Sequence, residues 1–265
     1  MIEIPFTKLH GAENDFLLTR AKDVPDSDLP GVARRICARS TGIGADGWML
    51  VSPEDAGLRT RLFNSDGSEP EISGNGTRCA AAFAILNGMA SPPRVLITTA
   101  AGPKHLVLIS QHGGRFLFEM DMGLPRVEDL RTTLHLAGRE FDATILNVGN
   151  PQCAIFVSSL PENWRAAAKE AERLERFPHR SNVSFVRVPD RHTVEAVFYE
   201  RGAGETRSSG TGSTGAAIAA ILRDVAESPV EIRTSAGSLM LRWDDSVYLT
   251  GPAEIIGEGR FFLDL

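Results

Sequence analysis

Residues 73–86 read SGNGTRCAAAFAIL and residues 209–222 read SGTGSTGAAIAAIL, so the chain contains one pattern twice. The second copy begins 136 residues after the first (209 − 73), about half of the 265-residue length. Each copy opens with Ser, Gly, a polar residue and Gly, and continues into an Ala-rich run of strong helix formers. We therefore predict two helices, each preceded by a loop whose small residues let a ligand approach the backbone. Such a helix start presents unpaired N–H groups and a positive dipole end, which favour anions.

The repeat extends beyond these two helices. Most other segments alternate or cluster apolar residues as strands do, and they follow one another in a similar order in both halves. We therefore predict an α+β protein of two similar domains, each a β-sheet or barrel wrapped around a central helix, related by a pseudo-twofold internal duplication. At the offset of 136, the matched residues outside the helices are Asn14 and Asn150, Glu69 and Glu205, Thr98 and Thr234, and Ala100 and Ala236.

The boundary between the halves is predicted near Gly113 and Gly114, since no long linker or low-complexity segment separates them. The first domain then covers residues 1–113 and the second covers residues 114–254. The C-terminal strand, residues 255–265, is predicted to return to the first domain.

Composition and charge exclude several classes of protein. The net charge is −6 and the sequence pI is about 5.6, with Lys and Arg scattered along the chain, which argues against nucleic-acid binding. The N-terminal residues MIEIPFTKLH have no apolar signal region and no run is long enough to cross a bilayer, so we predict a cytoplasmic protein without a membrane partner. Three cysteines without CxxC spacing indicate reduced thiols rather than disulfides or a metal site.

The second copy of the repeat contains a GxGxxG sequence, which raises dinucleotide binding as an alternative function. Its glycines are Gly210, Gly212 and Gly215. The fingerprint requires glycines directly after a parallel strand, whereas the residues ERGAGETRSS intervene here. The first copy has Cys79 in place of the third glycine, so the sequence disfavours this alternative.

Asparagines recur at predicted turns and strand ends. Asparagine in a turn usually serves the backbone. Alternatively, these side chains converge on a small ligand that carries carboxylate and ammonium groups, and Glu200 beside Arg201 then binds one group of each charge. Both interpretations remain open from the residues alone. The asparagines are Asn14, Asn64, Asn75, Asn150 and Asn182.

Taken in order, several motifs resemble those of the diaminopimelate epimerase family. They are HGAENDF, GIGADG, FNSDGSE followed by SGNGTRC, GNP, SNV, and YERGAGET followed by SGTG, and the resemblance as a whole extends over residues 6–251. The resemblance implies two similar domains with a site at their interface, and inversion of an amino-acid α-carbon without a cofactor or metal. It also suggests a homodimer.

The resemblance assigns roles to individual residues. Because an α-C–H is a very weak acid, one group must remove the proton while another supplies a proton to the opposite face. The family uses two cysteines for this transfer, and Ser73 and Ser209 occupy their positions here. Backbone N–H groups at Gly74, Asn75, Gly210 and Thr211 are expected to bind the α-carboxylate. The substrate-binding side chains are expected to be Asn14, Asn64, Asn75, Asn150, Asn182, Glu200 and Arg201.

The sequence departs from the family pattern at the reacting positions. Besides the two serines, Gln152 replaces the histidine that usually follows GNP, and Gly47 replaces the glutamine that usually follows GAD. A hydroxyl is far less acidic than a thiol, so it needs a neighbouring base or a relay. Three hypotheses remain: an isomerase, foremost the epimerase that converts LL- to meso-diaminopimelate in lysine biosynthesis; a related proton transfer such as isomerisation or dehydration; and a catalytically silent amino-acid-binding protein.

Overall fold

A computed structural model describes residues 2–24 and 28–263 and divides them into two compact units. Unit 1 comprises the described residues up to Met120 and those from Gly251 onward, and unit 2 comprises Asp121–Thr250. The predicted α+β class is confirmed. Residues 1 and 25–27 of the predicted first domain, and residues 264 and 265 of the predicted C-terminal strand, lie outside the described residues.

Unit 1 is built on eight strands that close into a barrel. The strand order is β1-β2-β3-β4-β5-β6-β7-β16, and β16 pairs antiparallel with β1, which joins the two ends. The chain leaves unit 1 after Met120 because β7 stays paired with β6 up to that residue. The elements are β1 Ile2–Gly11, β2 Asn14–Arg20, a 3₁₀ helix Ala21–Asp23, α1 Leu29–Cys37, β3 Gly47–Glu54, β4 Gly57–Asn64, α2 Gly74–Leu86, β5 Arg94–Thr99, β6 Gly102–His112, β7 Arg115–Gly123 and β16 Val247–Leu263.

The two helices of unit 1 differ in burial. Helix α2 is buried along its whole length except its last two residues, and it packs against β1, β2, β3 and β5. A helix that is apolar all round is stable only inside a core, which explains why the Ala-rich run becomes the central helix. Helix α1 covers another part of the sheet with Val32, Ala33 and Ile36 packed near Trp48 and Phe63.

Unit 2 also wraps a sheet around a buried central helix. Its strands follow the order β16-β15-β14-β12-β11-β10-β9-β8, and β13 pairs with β12. Helix α4 is the buried central helix, and α3 packs Trp164, Ala167 and Ala171 against the sheet beside Phe185. The elements are β8 Arg126–Leu136, β9 Arg139–Asn147, β10 Pro151–Phe156, α3 Trp164–Ala171, β11 Asn182–Asp190, β12 Thr193–Glu200, β13 Gly204–Thr206, α4 Gly210–Leu222, β14 Val230–Thr234 and β15 Gly237–Trp243.

The hairpins that follow the central helices correct the register of the repeat. Thr99 Oγ accepts from the N–H of Ala101 and donates to Gly102 O, and Thr234 Oγ makes the same two bonds with Ala236 and Gly237. The structural equivalent of Thr234 is therefore Thr99, and the match of Thr98 and Ala100 to Thr234 and Ala236 was wrong by one residue. The second half is one residue shorter between its helix and this hairpin.

Candidate active site

The central helix of unit 1 begins with Ser73 as its N-cap. Ser73 has an extended backbone (φ −125°, ψ 119°), and its Oγ accepts a hydrogen bond of 3.1 Å from Gly76 N. The first helical bond runs from Thr77 N to Ser73 O. The N–H groups of Gly74 and Asn75 therefore have no acceptor within the helix and are available to an anion. We call residues 73–76 the first helix start.

Helix α4 of unit 2 begins in the same way. Ser209 Oγ accepts a bond of 3.0 Å from Gly212 N, and Ser213 N donates to Ser209 O. The N–H groups of Gly210 and Thr211 are left without an acceptor in the helix. Both predicted helix starts are thus confirmed in their local geometry, and we call residues 209–212 the second helix start.

Each helix start is bound by an asparagine from a hairpin turn. In unit 1, Asn75 Nδ2 donates to Asn14 Oδ1 at 3.3 Å, and in unit 2 Asn150 Nδ2 donates to Thr211 Oγ1 at 3.2 Å. The two partners are 61 residues apart in both units. Asn14 is positioned by the β1–β2 turn, where Ala12 and Glu13 both have positive φ, as a two-residue type I′ turn requires.

Unit 2 gathers most of its predicted site residues into one hydrogen-bonded cluster. Asn182 donates from Nδ2 to Pro151 O at 3.1 Å and accepts at Oδ1 from Arg201 N at 3.0 Å. Gln152 Nε2 donates to Asn150 Oδ1 at 2.6 Å. Asn182 therefore joins the turn that carries Asn150 to the turn that carries Glu200 and Arg201.

The turn after Glu200 is fixed by a buried carboxylate that sequence reasoning missed. Glu172 Oε1 accepts a bond of 3.0 Å from Gly202 N, and its side chain is only 3% exposed. Arg173 and Arg180 each approach this carboxylate to 3.6 Å. Nothing in the local sequence distinguishes Glu172 from the other charged residues at the end of its helix.

Asn64 plays a backbone role in the structure. Its N–H donates to Ser68 O at 2.8 Å and its Nδ2 donates to Ser68 Oγ at 3.0 Å, so the side chain closes the NSDGS turn after β4. This is the ordinary turn interpretation. Its proposed contact with substrate stays a prediction.

A charged network extends from Asn14 at the first helix start. Asn14 Nδ2 donates to Asp46 Oδ2 at 2.7 Å, and Arg39 bonds both Asp46 and Asp15, at 2.7 and 2.9 Å. Lys8 lies 3.0 Å from Asp15. Burial disfavours the Asp15 carboxylate, but hydrogen bonds from Arg39 and Lys8 outweigh it and hold the pKa of Asp15 below its ordinary value.

Arg78, one turn into α2, is a second residue that sequence reasoning missed. Its side chain is fully buried; Nη2 donates to Asn75 Oδ1 at 2.5 Å and Nε donates to Pro252 O at 3.1 Å. Burial lowers the pKa of Arg78 to about 10. The signal was present in the sequence, since Arg78 is the only charged residue in SGNGTRCAAAFAIL.

The cysteines do not contribute reactive groups to either helix start. All three are free thiols, and burial raises the pKa of each to about 12. Ser73 is half-buried, whereas Ser209 is only 3% exposed. Within residues 2–24 and 28–263, neither serine hydroxyl is hydrogen-bonded to a carboxylate or an imidazole, and His, Cys, Asp and Glu form no group of three that could hold a metal ion.

The GxGxxG sequence lacks the context of a dinucleotide site. It follows β13, a three-residue strand antiparallel to β12, rather than a parallel strand. Its glycines have packing roles instead, since a Cβ at Gly212 would lie 2.8 Å from Phe198 and one at Gly215 would lie 3.0 Å from Gln152. In the part of the chain that the structure describes, no helix is both long and apolar enough to span a membrane.

Comparison with known proteins identifies the family. The sequence profile of diaminopimelate epimerase matches residues 6–127 and 144–256. The chain is 40% identical over 280 residues to the diaminopimelate epimerase of Moorella thermoacetica, covering 98% of this chain and 99% of that one. It is 36% identical over 274 residues to the diaminopimelate epimerase of Pelotomaculum thermopropionicum, covering 97% and 98% of the two chains.

The fold is also found among solved structures. A hydroxyproline epimerase from Agrobacterium vitis, crystallised with bound trans-4-hydroxy-L-proline, matches with a TM-score of 0.77 over 99% of this chain and 93% of that chain. The sequence identity is 15%, so this likeness concerns the fold alone. From the family profile and the two curated relatives, we conclude that the chain belongs to the diaminopimelate epimerase family.

Proposed function

We propose that this protein is a cofactor-independent isomerase that inverts one α-carbon of diaminopimelate, converting the LL isomer to the meso isomer in lysine biosynthesis. The duplicated helix start carries the proposal. Each unit places a serine N-cap, two backbone N–H groups without an acceptor in the helix, and an asparagine from a neighbouring turn at the start of a buried helix. The curated relatives that match nearly the whole chain are diaminopimelate epimerases.

The N–H groups of Gly74, Asn75, Gly210 and Thr211 are assigned to the α-carboxylate of the substrate. Removing the α-proton spreads negative charge onto that carboxylate, so donors already aimed at it stabilise the transition state more than the ground state. This gives both helix starts a role in rate as well as in binding.

Ser73 and Ser209 are assigned to proton transfer. In each turnover one serine enters as the alkoxide and takes the α-proton, and the other donates its hydroxyl proton to the opposite face of the carbanion. The α-C–H bond is broken and re-formed, and the two serines exchange protonation states. The N–H of Gly76 or Gly212 on the serine oxygen, together with the helix dipole, lowers the cost of the alkoxide.

The remaining predicted side chains are assigned to the second amino-acid end of diaminopimelate. Glu200 supplies a charge for an ammonium and Arg201 supplies one for a carboxylate, and Asn182 holds the turn that carries them. Asn14, Asn64, Asn75 and Asn150 complete the polar surface. This assignment predicts that amino acids with an uncharged second end bind weakly.

The experiment is incubation of the protein with LL-diaminopimelate in D₂O, followed by NMR and by chromatography that separates the isomers. We expect loss of the α-proton signal together with appearance of the meso isomer. Binding without exchange at any pH excludes the isomerase. Exchange with loss of water or with a moved double bond shows a different proton-transfer reaction on the same site.

A silent amino-acid-binding protein is the second candidate, and one observation favours it. Among the described residues neither serine is hydrogen-bonded to a general base, so no neighbouring base assists formation of the alkoxide. The Ser73→Cys, Ser209→Cys double variant separates the two candidates. A large gain in inversion would mean that the surrounding site is competent and that the hydroxyls limit the rate; unchanged inactivity with retained binding supports the silent protein.

The protein is also assigned a cellular location and binding partners. We place the reaction in the cytoplasm, which the three free, buried thiols support. The proposed partners are the amino-acid substrate and a second copy of the chain; analytical ultracentrifugation measures the latter.

A further inference from the structure

Arg78 carries a positive charge into the core of unit 1 without a carboxylate partner. Its hydrogen bonds go to the neutral acceptors Asn75 Oδ1 and Pro252 O, and Nη1 has no partner among the described residues. Burying an unpaired charge opposes folding, and an apolar side chain of similar size would avoid that cost. Packing alone therefore does not explain an arginine at this position.

The bond from Arg78 also fixes the orientation of two side-chain amides. Because Arg78 only donates, the atom of Asn75 that receives its bond must be the oxygen, Oδ1. Asn75 Nδ2 then donates to Asn14 Oδ1, and Asn14 Nδ2 donates to Asp46. The oxygens of Asn14 and Asn75 already accept a bond, so the second hydrogen of Asn75 Nδ2 makes Asn75 a donor toward a ligand.

We propose that Arg78 is the positioning residue of the first helix start: its buried charge and its bond to Asn75 make residues 73–76 selective for the carboxylate of the substrate and stabilise an anion at position 73. This inference deepens the proposed function and rests on it for the identity of the carboxylate. The electrostatic part concerns position 73 alone and holds whatever the ligand is.

The equivalent position in unit 2 shows that the arrangement of a helix start does not itself require this charge. Position 214 is Thr214, whose Oγ1 donates to Gly210 O at 2.8 Å within α4. Arg223 is a strongly buried arginine at the other end of α4, where it bonds Asp142. The second helix start is formed with the same cap and no buried cation in its first turn.

A thiol introduced at position 73 reports the charge directly. In the Ser73→Cys variant, alkylation by iodoacetamide across a pH series gives the pKa of the new thiol. The three natural cysteines stay silent because they are buried with a raised pKa. We expect a pKa below the ordinary 8.5 of a free cysteine, because the helix start and Arg78 both favour the thiolate.

Adding Arg78→Gln to this variant removes the charge but keeps an N–H donor for Asn75. We expect the pKa of the introduced thiol to rise by about 1, which slows alkylation roughly tenfold at a fixed pH below the pKa. Arg20→Met is the matched control, because Arg20 bonds Asn87 at the opposite end of the same helix, about 20 Å away for 13 residues. It should leave the thiol pKa unchanged.

A rise of less than a few tenths in the Arg78→Gln background overturns the electrostatic part, as does an equal rise in the Arg20→Met control. Near-ultraviolet circular dichroism checks that the variants fold. If the Arg78→Gln variant does not fold, the Ser73→Cys variant alone decides, since a pKa at or above 8.5 contradicts an anion-stabilising site.

The positioning part is tested by ligand binding. Calorimetry with diaminopimelate should give a Kd about tenfold weaker for Arg78→Met, which frees the Asn75 amide, than for Arg78→Gln, which still holds it. Equal affinities of these two variants contradict the positioning role. If the wild-type protein binds no diaminopimelate, the proposed function fails, and the thiol pKa still tests the electrostatic role by itself.

Discussion

The two helix starts share one backbone design and differ in what lies behind it. Both have a serine cap, N–H groups at the next two residues that have no acceptor within the helix, and an asparagine contact between residues 61 apart. The first is hydrogen-bonded to Arg78 and, through Asn14, to the network of Asp15 and Asp46. The second is connected instead to the neutral side chains of Gln152 and Thr214. Duplication has kept the geometry that presents N–H groups, while the charge around them has diverged.

This difference gives the two serines different chemical environments. The fully buried Arg78 near the start of α2 favours an anion at the first helix start, whereas the second has the neutral Thr214 at that position and buries Ser209, which disfavours an anion there. The comparison predicts that the alkoxide resides more readily on Ser73, and that Ser209 is the better proton donor.

The largest effect is expected from removing either hydroxyl. Ser73→Ala and Ser209→Ala should each reduce inversion of LL-diaminopimelate by roughly 10²–10⁴-fold, the usual contribution of an acid or base. Each also loses an N-cap worth about 1 kcal/mol of unfolding free energy, so rates are compared below the melting range. Full activity in either variant would remove that serine from the mechanism.

Packing distinguishes the two helix starts at their second glycine. An added Cβ at Gly76 would lie 2.8 Å from the flexible end of Met49, whereas at Gly212 it would lie 2.8 Å from the Phe198 ring and 2.9 Å from Ser209. We expect Gly212→Ala to lower the free energy of unfolding by about 1–3 kcal/mol. Gly76→Ala should cost less in the same urea titration, and the reverse order would contradict the packing account.

Thiols placed at the two caps should differ in acidity. Ser73→Cys should have a pKa lower than that of Ser209→Cys by about 1, because Arg78 is buried in the helix that begins at Ser73, Thr214 takes its place in the other helix, and position 209 is more deeply buried. The ultraviolet absorbance of the thiolate over a pH series, taken as the difference from the wild-type protein, measures both without requiring a reagent to reach the buried position 209. Equal pKa values would show that Arg78 does not distinguish the two helix starts.

The smallest effect concerns acid stability. The pKa of Asp15 is below 3.8 in the folded protein. Its carboxylate therefore makes its full contribution to the free energy of unfolding above pH 3.8, and this contribution is lost as the pH falls through the pKa of the folded protein. The loss in unfolding free energy caused by Asp15→Asn should be greatest at neutral pH and should shrink below pH 3.8. Urea titrations at a series of pH values measure this effect. If the effect of Asp15→Asn is the same at neutral pH and below pH 3.8, the pKa of Asp15 is not lowered in the folded protein.

Sequence patterns predicted the features that depend on neighbouring residues. The small residues at 73–76 and 209–212, each before an Ala-rich run, predicted both central helices, and Asn14 was among the asparagines placed at predicted turns and strand ends. Contacts between distant residues were not predicted. Nothing near Glu172 or Asp46 in the sequence indicates that Gly202 or Asn14 will be its partner, because those pairs are created by the folded sheet. The one-residue error in matching Thr98 to Thr234 was likewise revealed only by the hydrogen bonds of Thr99.

The most direct test of the two-serine account is the position of deuterium at early times. LL-diaminopimelate is incubated with the wild-type protein in D₂O until a few per cent has been inverted, and both isomers are recovered for mass spectrometry. Removal by one serine and return by the other predicts deuterium in the meso product and almost none in the remaining LL substrate. Equal deuterium in substrate and product, or a protonated product, would contradict it.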